Sequence, residues 1–148
     1  MKVVDTEETI LIVTGTELTA EDRDRPLAYW LKQQIDQRGV GHPWRKAVVV
    51  GDAWYLANRV FHLNPTVAVG GPGANAVAQQ FASALPVVWK DEDEQAFIQL
   101  DFDDERKRAA LWGMNAAATA SAVEGFVIHG QLDELLRRIW KFRMGMTV

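Results

Sequence analysis

Residues 66–75 read TVAVGGPGAN, an apolar run that ends in two glycines, a proline, a third glycine and an asparagine. Four uncharged residues, two of them valine, suit a strand that is buried on both faces, as the central strands of parallel sheets are. Pro72 is placed to open a helix that runs to about Leu85, where Pro86 ends it. The stretch therefore predicts a strand–loop–helix unit with its loop at Gly70–Asn75.

Two similar units precede this one along the chain. The strand candidates are Thr9–Thr14 (TILIVT) and Lys46–Val50 (KAVVV), and a glycine follows each of them. Apolar residues then recur at helical spacing over Glu21–Arg38 and Asp52–Leu63. Three successive strand–helix units predict a parallel sheet with right-handed crossover connections.

The pattern changes after Pro86, where charged turns separate three short strand candidates. These are Val87–Lys90, Ala96–Asp101 and Arg108–Trp112, and two helices follow at about Asn115–Ile128 and Gln131–Phe142. The strands predict an antiparallel meander that completes the sheet. The expected fold is thus an α/β three-layer sandwich, similar to the Rossmann and flavodoxin folds: parallel βα units, then the meander, then two C-terminal helices.

Composition limits the function classes. The length of 148 residues predicts a single domain, residues 1–148. The absence of cysteine excludes a disulfide scaffold, a thiolate zinc site, an iron–sulfur cluster and a cysteine nucleophile. A net charge of −4 argues against a nucleic-acid partner. The opening residues MKVVDTEE lack an apolar targeting segment, so we expect a cytoplasmic protein without a membrane partner.

Candidate binding residues follow the strands, because the carboxyl ends of parallel strands meet at one edge of a sheet. They pair glycines, which permit close backbone approach, with polar side chains and one tryptophan: Thr16, Glu17, Asp52, Trp54, Gly70, Gly71, Gly73, Asn75 and Asn115. In a binding site, Asp52 or Glu17 would be the acid or base, and the amides of Gly73 and Asn75 would hold a small anionic ligand. Alternatively, the polar residues simply cap helices.

The loop also matches the dinucleotide fingerprint G-x-G-x-x-A through Gly71, Gly73 and Ala76, and Asp91 lies 20 positions after Gly71. Three features oppose this interpretation. Pro72 removes one N–H donor, Asp91 belongs to an acidic turn, and the βαβ pattern stops at the meander. No cofactor is therefore predicted, and NAD(P) or a flavin is kept as the alternative.

The stretch VAVGGPGAN at 67–75 resembles the GGPxxN element of archaeal S-layer-type surface proteins over about 30 residues. The resemblance implies an α/β unit in which glycine and proline shape a tight strand-to-helix turn. It implies a structural role for Asn75, which would cap the helix or tie two loops together. It implies no activity.

The sequence contains few residues that could form a serine-hydrolase site or a metal site. The two serines fall in predicted helices, and the three histidines are far apart, so neither a serine hydrolase nor a metal site is predicted. The aspartates of the D-x-D sequence at Asp101 and Asp103 are expected in a solvated hairpin turn.

The leading hypothesis is therefore a non-catalytic structural or interaction module that self-associates as a homo-oligomer. Apolar residues of the last helix motivate the self-association: Trp140, Phe142, Met144 and Met146. The alternative is a small-molecule or nucleotide-binding protein, or an enzyme, that uses the glycine loops at Gly70–Asn75.

Overall fold

The computed structural model describes the backbone of residues 4–146 and the side chains of residues 4–140. The strands are β1 (Ile10–Thr14), β2 (Ala47–Gly51), β3 (Thr66–Val69), β4 (Val87–Lys90), β5 (Ala96–Asp101) and β6 (Arg108–Gly113). The α-helices are α1 (Leu18–Arg23), α2 (Arg25–Arg38), α3 (Asp52–Ala57), α4 (Ala76–Ala84), α5 (Ala116–Ile128) and α6 (Gln131–Met146), and a 3₁₀ helix spans Arg59–Leu63.

The six strands form one mixed sheet in the order β2-β1-β3-β6-β5-β4. Strands β1, β2, β3 and β6 are parallel, while β5 is antiparallel to both β6 and β4. The loops after β1, β2, β3, β4 and β6 therefore emerge at one edge of the sheet. Asn115, which follows β6, thus lies at the same edge as the glycine loops, as predicted. Because β2 lies on one side of β1 and β3 on the other, the order reverses between β1 and β3, where doubly wound proteins open a crevice.

Side chains alternate across the central strands and build two cores. Ile10 and Ile12 face a core that includes Leu31 and Ile35 of α2 and Phe126 of α5. Alternate residues of the same strands face a smaller core with α3 and α4. These helix layers on both sides of the sheet confirm the three-layer α/β sandwich.

Two predicted helices are interrupted. The helix predicted over Glu21–Arg38 is two helices that meet at Asp24, because Pro26 in the first turn of α2 has no N–H to continue the ladder. The helix predicted over Asp52–Leu63 ends at Ala57, and Asn58 leads into the 3₁₀ helix with φ −117° and ψ 73°.

The C-terminal helix was predicted to expose four apolar side chains for self-association. Only the first of these, Trp140, belongs to the residues whose side chains are described, and there the prediction is wrong. Trp140 is buried in the core, where its Nε1 donates to the Glu8 carbonyl at 3.0 Å. It therefore offers no surface for self-association. The side chains of Phe142, Met144 and Met146 lie outside the described residues. Among the described residues, no helix is both long and apolar enough to cross a membrane.

The junction of α1 and α2 buries a carboxylate. The Asp24 side chain is fully buried, its Oδ1 accepts from Arg23 Nε at 3.2 Å, and its Oδ2 has no hydrogen-bond partner among the described residues. Burial raises the pKa of Asp24, and the neighbouring Arg23 guanidinium offsets only part of that shift. The folded protein therefore favours the protonated carboxyl more than the unfolded chain does.

Replacing Asp24 with Asn should stabilise the protein as the pH rises. Because the folded-state pKa is raised, the wild-type free energy of unfolding falls between the ordinary carboxyl pKa and the raised one, and it stays lower above that window. D24N should flatten this part of the curve and raise the Tm at neutral pH by a few degrees. Urea unfolding from pH 4 to 8 tests this, with D22N, at an exposed position of the same segment, as control. Parallel pH curves for all three proteins would contradict it.

Candidate functional site

Asn75 sits in the crevice between β1 and β3. Its side chain is 1% exposed, and its Nδ2 donates to the carbonyls of Val13 at 2.9 Å and Val69 at 3.1 Å, near the ends of those two strands. Its Oδ1 accepts from the backbone amides of Val77 at 2.9 Å and Ala78 at 3.1 Å, which caps α4. One carboxamide thus joins two strands to one helix and fills the place where a ligand would enter.

Asp52 ties the neighbouring loops together. Its Oδ1 accepts from the hydroxyl of Thr16 and from the amide of Ala53 at 2.8 Å, and its Oδ2 accepts from the amide of Ala76 at 2.8 Å. Burial raises the pKa of Asp52, but these hydrogen bonds outweigh it and leave the pKa below its ordinary value. An ionised carboxylate held in this way is a poor general base at neutral pH.

The N-terminus of α4 has no free donor for an anion. The amide of Ala76 donates to Asp52, those of Val77 and Ala78 donate to the Asn75 side chain, and that of Gln79 donates to the Asn75 carbonyl at 3.0 Å. These are the first four N–H groups of the helix, which bind phosphate in nucleotide-binding folds. The helix therefore begins at Ala76, not at Pro72 as predicted, because Asn75 supplies the cap.

Close backbone packing seals the same edge. A Cβ on Gly15 would lie 1.9 Å from the carbonyl oxygen of Ala74, so only glycine lets the loop after β1 touch the loop after β3. Gly70 has φ +111°, and its Cα faces the buried Asp24 carboxylate. The amides of Ala74 and Asn75 both donate to the Gly71 carbonyl at 3.0 Å.

A hollow of about 300 Å³ remains above these contacts. Five of the predicted residues line it: Thr16, Glu17, Asp52, Gly73 and Asn75. Gln79 and the residues around Gly73 complete the lining, which contains two carboxylates and no basic side chain. Gln79 was not among the predicted site residues, because a helix that began at Pro72 would have placed it two turns beyond the loop. The observed start of α4 at Ala76 brings it into the first turn, beside the hollow.

The other predicted residues lie apart from the hollow. Gly70 and Gly71 shape the turn beneath it. Asn115 caps α5 by accepting from the Ala118 amide at 2.8 Å. Trp54 is 44% exposed and packs on Phe61, with 5.1 Å between ring centroids.

No group of three or more metal-binding side chains occurs among the described residues. Asp101 accepts hydrogen bonds from the amides of Asp103 and Asp104, at 3.0 and 3.2 Å, so the D-x-D sequence forms a hairpin turn as expected. His62 bonds the Tyr55 carbonyl at 2.7 Å and stacks on the Tyr55 ring. These contacts give the aspartates of the D-x-D sequence and His62 structural roles.

Comparison with known proteins finds no protein-family model that matches this sequence, and no curated protein matches it.

Replacing Asn75 with Ala should destabilise the fold far more than removing an ordinary helix cap. The variant loses the α4 cap and leaves two buried carbonyls without a donor, which together cost about 3 kcal/mol. Asn115→Ala removes a cap alone and should cost about 1 kcal/mol. Urea unfolding of both variants measures the difference, and equal losses would contradict the role of Asn75 in the crevice.

Replacing Gly15 with Ala should also be costly, since the new methyl group would overlap the Ala74 carbonyl. Gly73→Ala is the matched control in the facing loop, because a Cβ there meets nothing within 4 Å. We expect G15A to lower the Tm by at least 5 °C and G73A to change it by less than 2 °C. Similar Tm values for the two variants would show that the loops do not pack as described.

Proposed function

We propose that the protein is a non-catalytic structural or interaction module that self-associates. The observation that carries this proposal is the Asn75 side chain, which occupies the crevice where a doubly wound fold binds its ligand. The lowered pKa of Asp52 and the capped start of α4 add support, because Asp52 is then not poised as a base and the first α4 amides are already engaged. The structural turn implied by the S-layer-type resemblance fits this role, and a cytoplasmic location remains part of the proposal.

The surface that best suits self-association is the outer edge of β4. Within the part of the chain that the structure describes, this strand ends the sheet, and one of its edges is paired with β5. Val87 is 50% exposed and Val88 48% exposed, and both line a shallow apolar hollow of about 410 Å³ together with Trp89. An exposed apolar edge strand is a template for pairing with another chain.

Charge favours an antiparallel arrangement of two copies at this edge. The turn that follows β4 holds four consecutive acidic residues, 91–94. A parallel pair of β4 strands would place two such turns side by side, whereas an antiparallel pair places them at opposite ends of the contact. Lys90 of the two copies would then lie about three residues apart along the strands, or roughly 10 Å, which exceeds the Debye length of about 8 Å at physiological ionic strength.

Light scattering after size exclusion tests the proposal. We expect the wild-type protein to be a dimer or larger at about 50 μM, and Val88→Lys to be monomeric because a charge at the contact must be desolvated. Val60→Lys is the matched control, since Val60 is 73% exposed in the 3₁₀ helix. A monomeric wild-type protein would contradict self-association. An oligomer that V88K leaves intact would contradict the role of β4.

The alternative function is binding of a small molecule or nucleotide at the glycine loops. One observation favours it: the hollow of about 300 Å³ has three exposed polar side chains at its rim, Thr16, Glu17 and Gln79. In that case Glu17 is the remaining acid or base candidate.

A thermal-shift screen with nucleotides, NAD(P), flavins and phosphorylated metabolites separates the two functions. We expect no ligand to raise the Tm, because the hollow has no cation and no free helix amide for a phosphate. A ligand present at 100 times its Kd would add about 2.7 kcal/mol, which corresponds to roughly 5–10 °C for a chain of this size. A shift of that size that Gln79→Ala abolishes would establish the alternative.

A further inference from the structure

A larger hollow lies at the opposite edge of the sheet from the glycine loops. Its volume is about 570 Å³, and it is formed by the C-terminal end of α2, the connection over residues 39–46 and helix α6. This connection leads into β2, so the hollow lies at the amino end of that strand. Side chains that line it include Arg38, Val40, His42, Leu136, Arg137 and Trp140.

The floor of this hollow is built from fixed groups. A Cβ on Gly39 would lie 1.7 Å from the Arg45 carbonyl oxygen, so glycine lets the connection fold back and carry Arg45 inward. Arg45 is 4% exposed, and it donates to Glu8 Oε2 at 3.2 Å and to the Trp140 carbonyl at 2.8 Å. Its guanidinium lies 5.5 Å from the centroid of the Trp140 ring. The floor of the hollow is therefore preformed, and Arg45 is held in place by the protein itself.

One wall of the hollow offers uncovered apolar surface. Val40 is an aliphatic side chain that is 77% exposed, slightly more than Val60, the next most exposed valine among the described residues, at 73%. Leu136 and Trp140 lie behind it at 6% and 5% exposure. A ligand with an apolar body would cover Val40 and remove that surface from water.

The rim offers cationic donors. Arg38 Nε donates to Asp133 Oδ1 at 2.9 Å, and Arg137 Nη2 donates to Glu134. A guanidinium has five N–H donors, so a carboxylate partner leaves others for a ligand. The lining contains Arg38, Arg45 and Arg137, and His42 adds an imidazole. Each arginine is paired with one carboxylate, of Asp133, Glu8 and Glu134 respectively, so an anion would bind through the guanidinium donors that these pairs leave uncovered. Exposed ion pairs such as those of Arg38 and Arg137 contribute little stability and can be exchanged at low cost.

We propose that this hollow binds a small organic anion of the class of aromatic carboxylates and sulfonates. The acid group contacts Arg38, Arg137 and His42, and the apolar body covers Val40. The volume lies within the range of about 300–1,000 Å³ that small-molecule sites occupy. This binding site is independent of the proposed self-association, which uses the β4 edge.

Fluorescence titration with 8-anilinonaphthalene-1-sulfonate tests the site. We expect saturable binding of one molecule per chain, at least tenfold tighter than that of the neutral N-phenyl-1-naphthylamine, which has the same rings without the acid. Arg137→Gln and Arg38→Gln should each weaken sulfonate binding at least fivefold and leave binding of the neutral compound unchanged. Arg25→Gln, on α2 beside Tyr29 and outside the hollow, should have no effect.

The β4 edge is the competing apolar surface, so Val88→Thr is titrated in parallel. Equal affinity for the charged and neutral compounds would overturn the proposal, and so would unchanged binding by R137Q. Binding that V88T abolishes would place the probe on β4 and also overturn it. Arg137 is 71% exposed, so R137Q should fold normally. If R38Q lowers the stability of the protein, the affinity measured with R137Q decides the outcome.

Discussion

The carboxamide of Asn75 is the constraint on which the rest of this structure depends. It satisfies the carbonyls near the ends of β1 and β3, and it satisfies two amides at the start of α4. All four of its hydrogen bonds are buried, so none competes with water. The two central strands and the helix above them are fixed at one point, and Asp52 and Gly15 then complete the closure of the loops around it.

This closure has a functional consequence. Doubly wound folds bind ligands where the strand order reverses, because the loops diverge there and helix amides point outward. Here the loops touch, and the first amides of α4 are all engaged by the protein itself. A chain that fills its own crevice leaves other surfaces for recognition. We propose two such surfaces, the apolar edge at β4 and the arginine-lined hollow beside Val40.

Much of the fold could be predicted from local patterns, and the candidate site much less so. Short apolar runs ending in glycine predicted β1, β2 and β3, and the charged turns predicted the meander strands at their observed positions. The break at Asp24 was missed because apolar spacing continues across Pro26, although the proline lacks the N–H that the ladder needs. The S-layer-type resemblance implied that Asn75 caps the helix or ties two loops together, although the helix was predicted to begin at Pro72. No local pattern, however, shows that its amide would reach Val13, 62 positions away.

The exchange rate of the Asn75 side-chain amide protons, measured by NMR in ¹⁵N-labelled protein, shows whether the crevice between β1 and β3 is closed. With both protons donated to buried carbonyls, we predict exchange at least a hundredfold slower than for the exposed Asn115 side chain, and no change when nucleotides or phosphorylated metabolites are added. Rapid exchange, or a shift of these resonances on adding such a ligand, would show that the crevice is open and contradict the account.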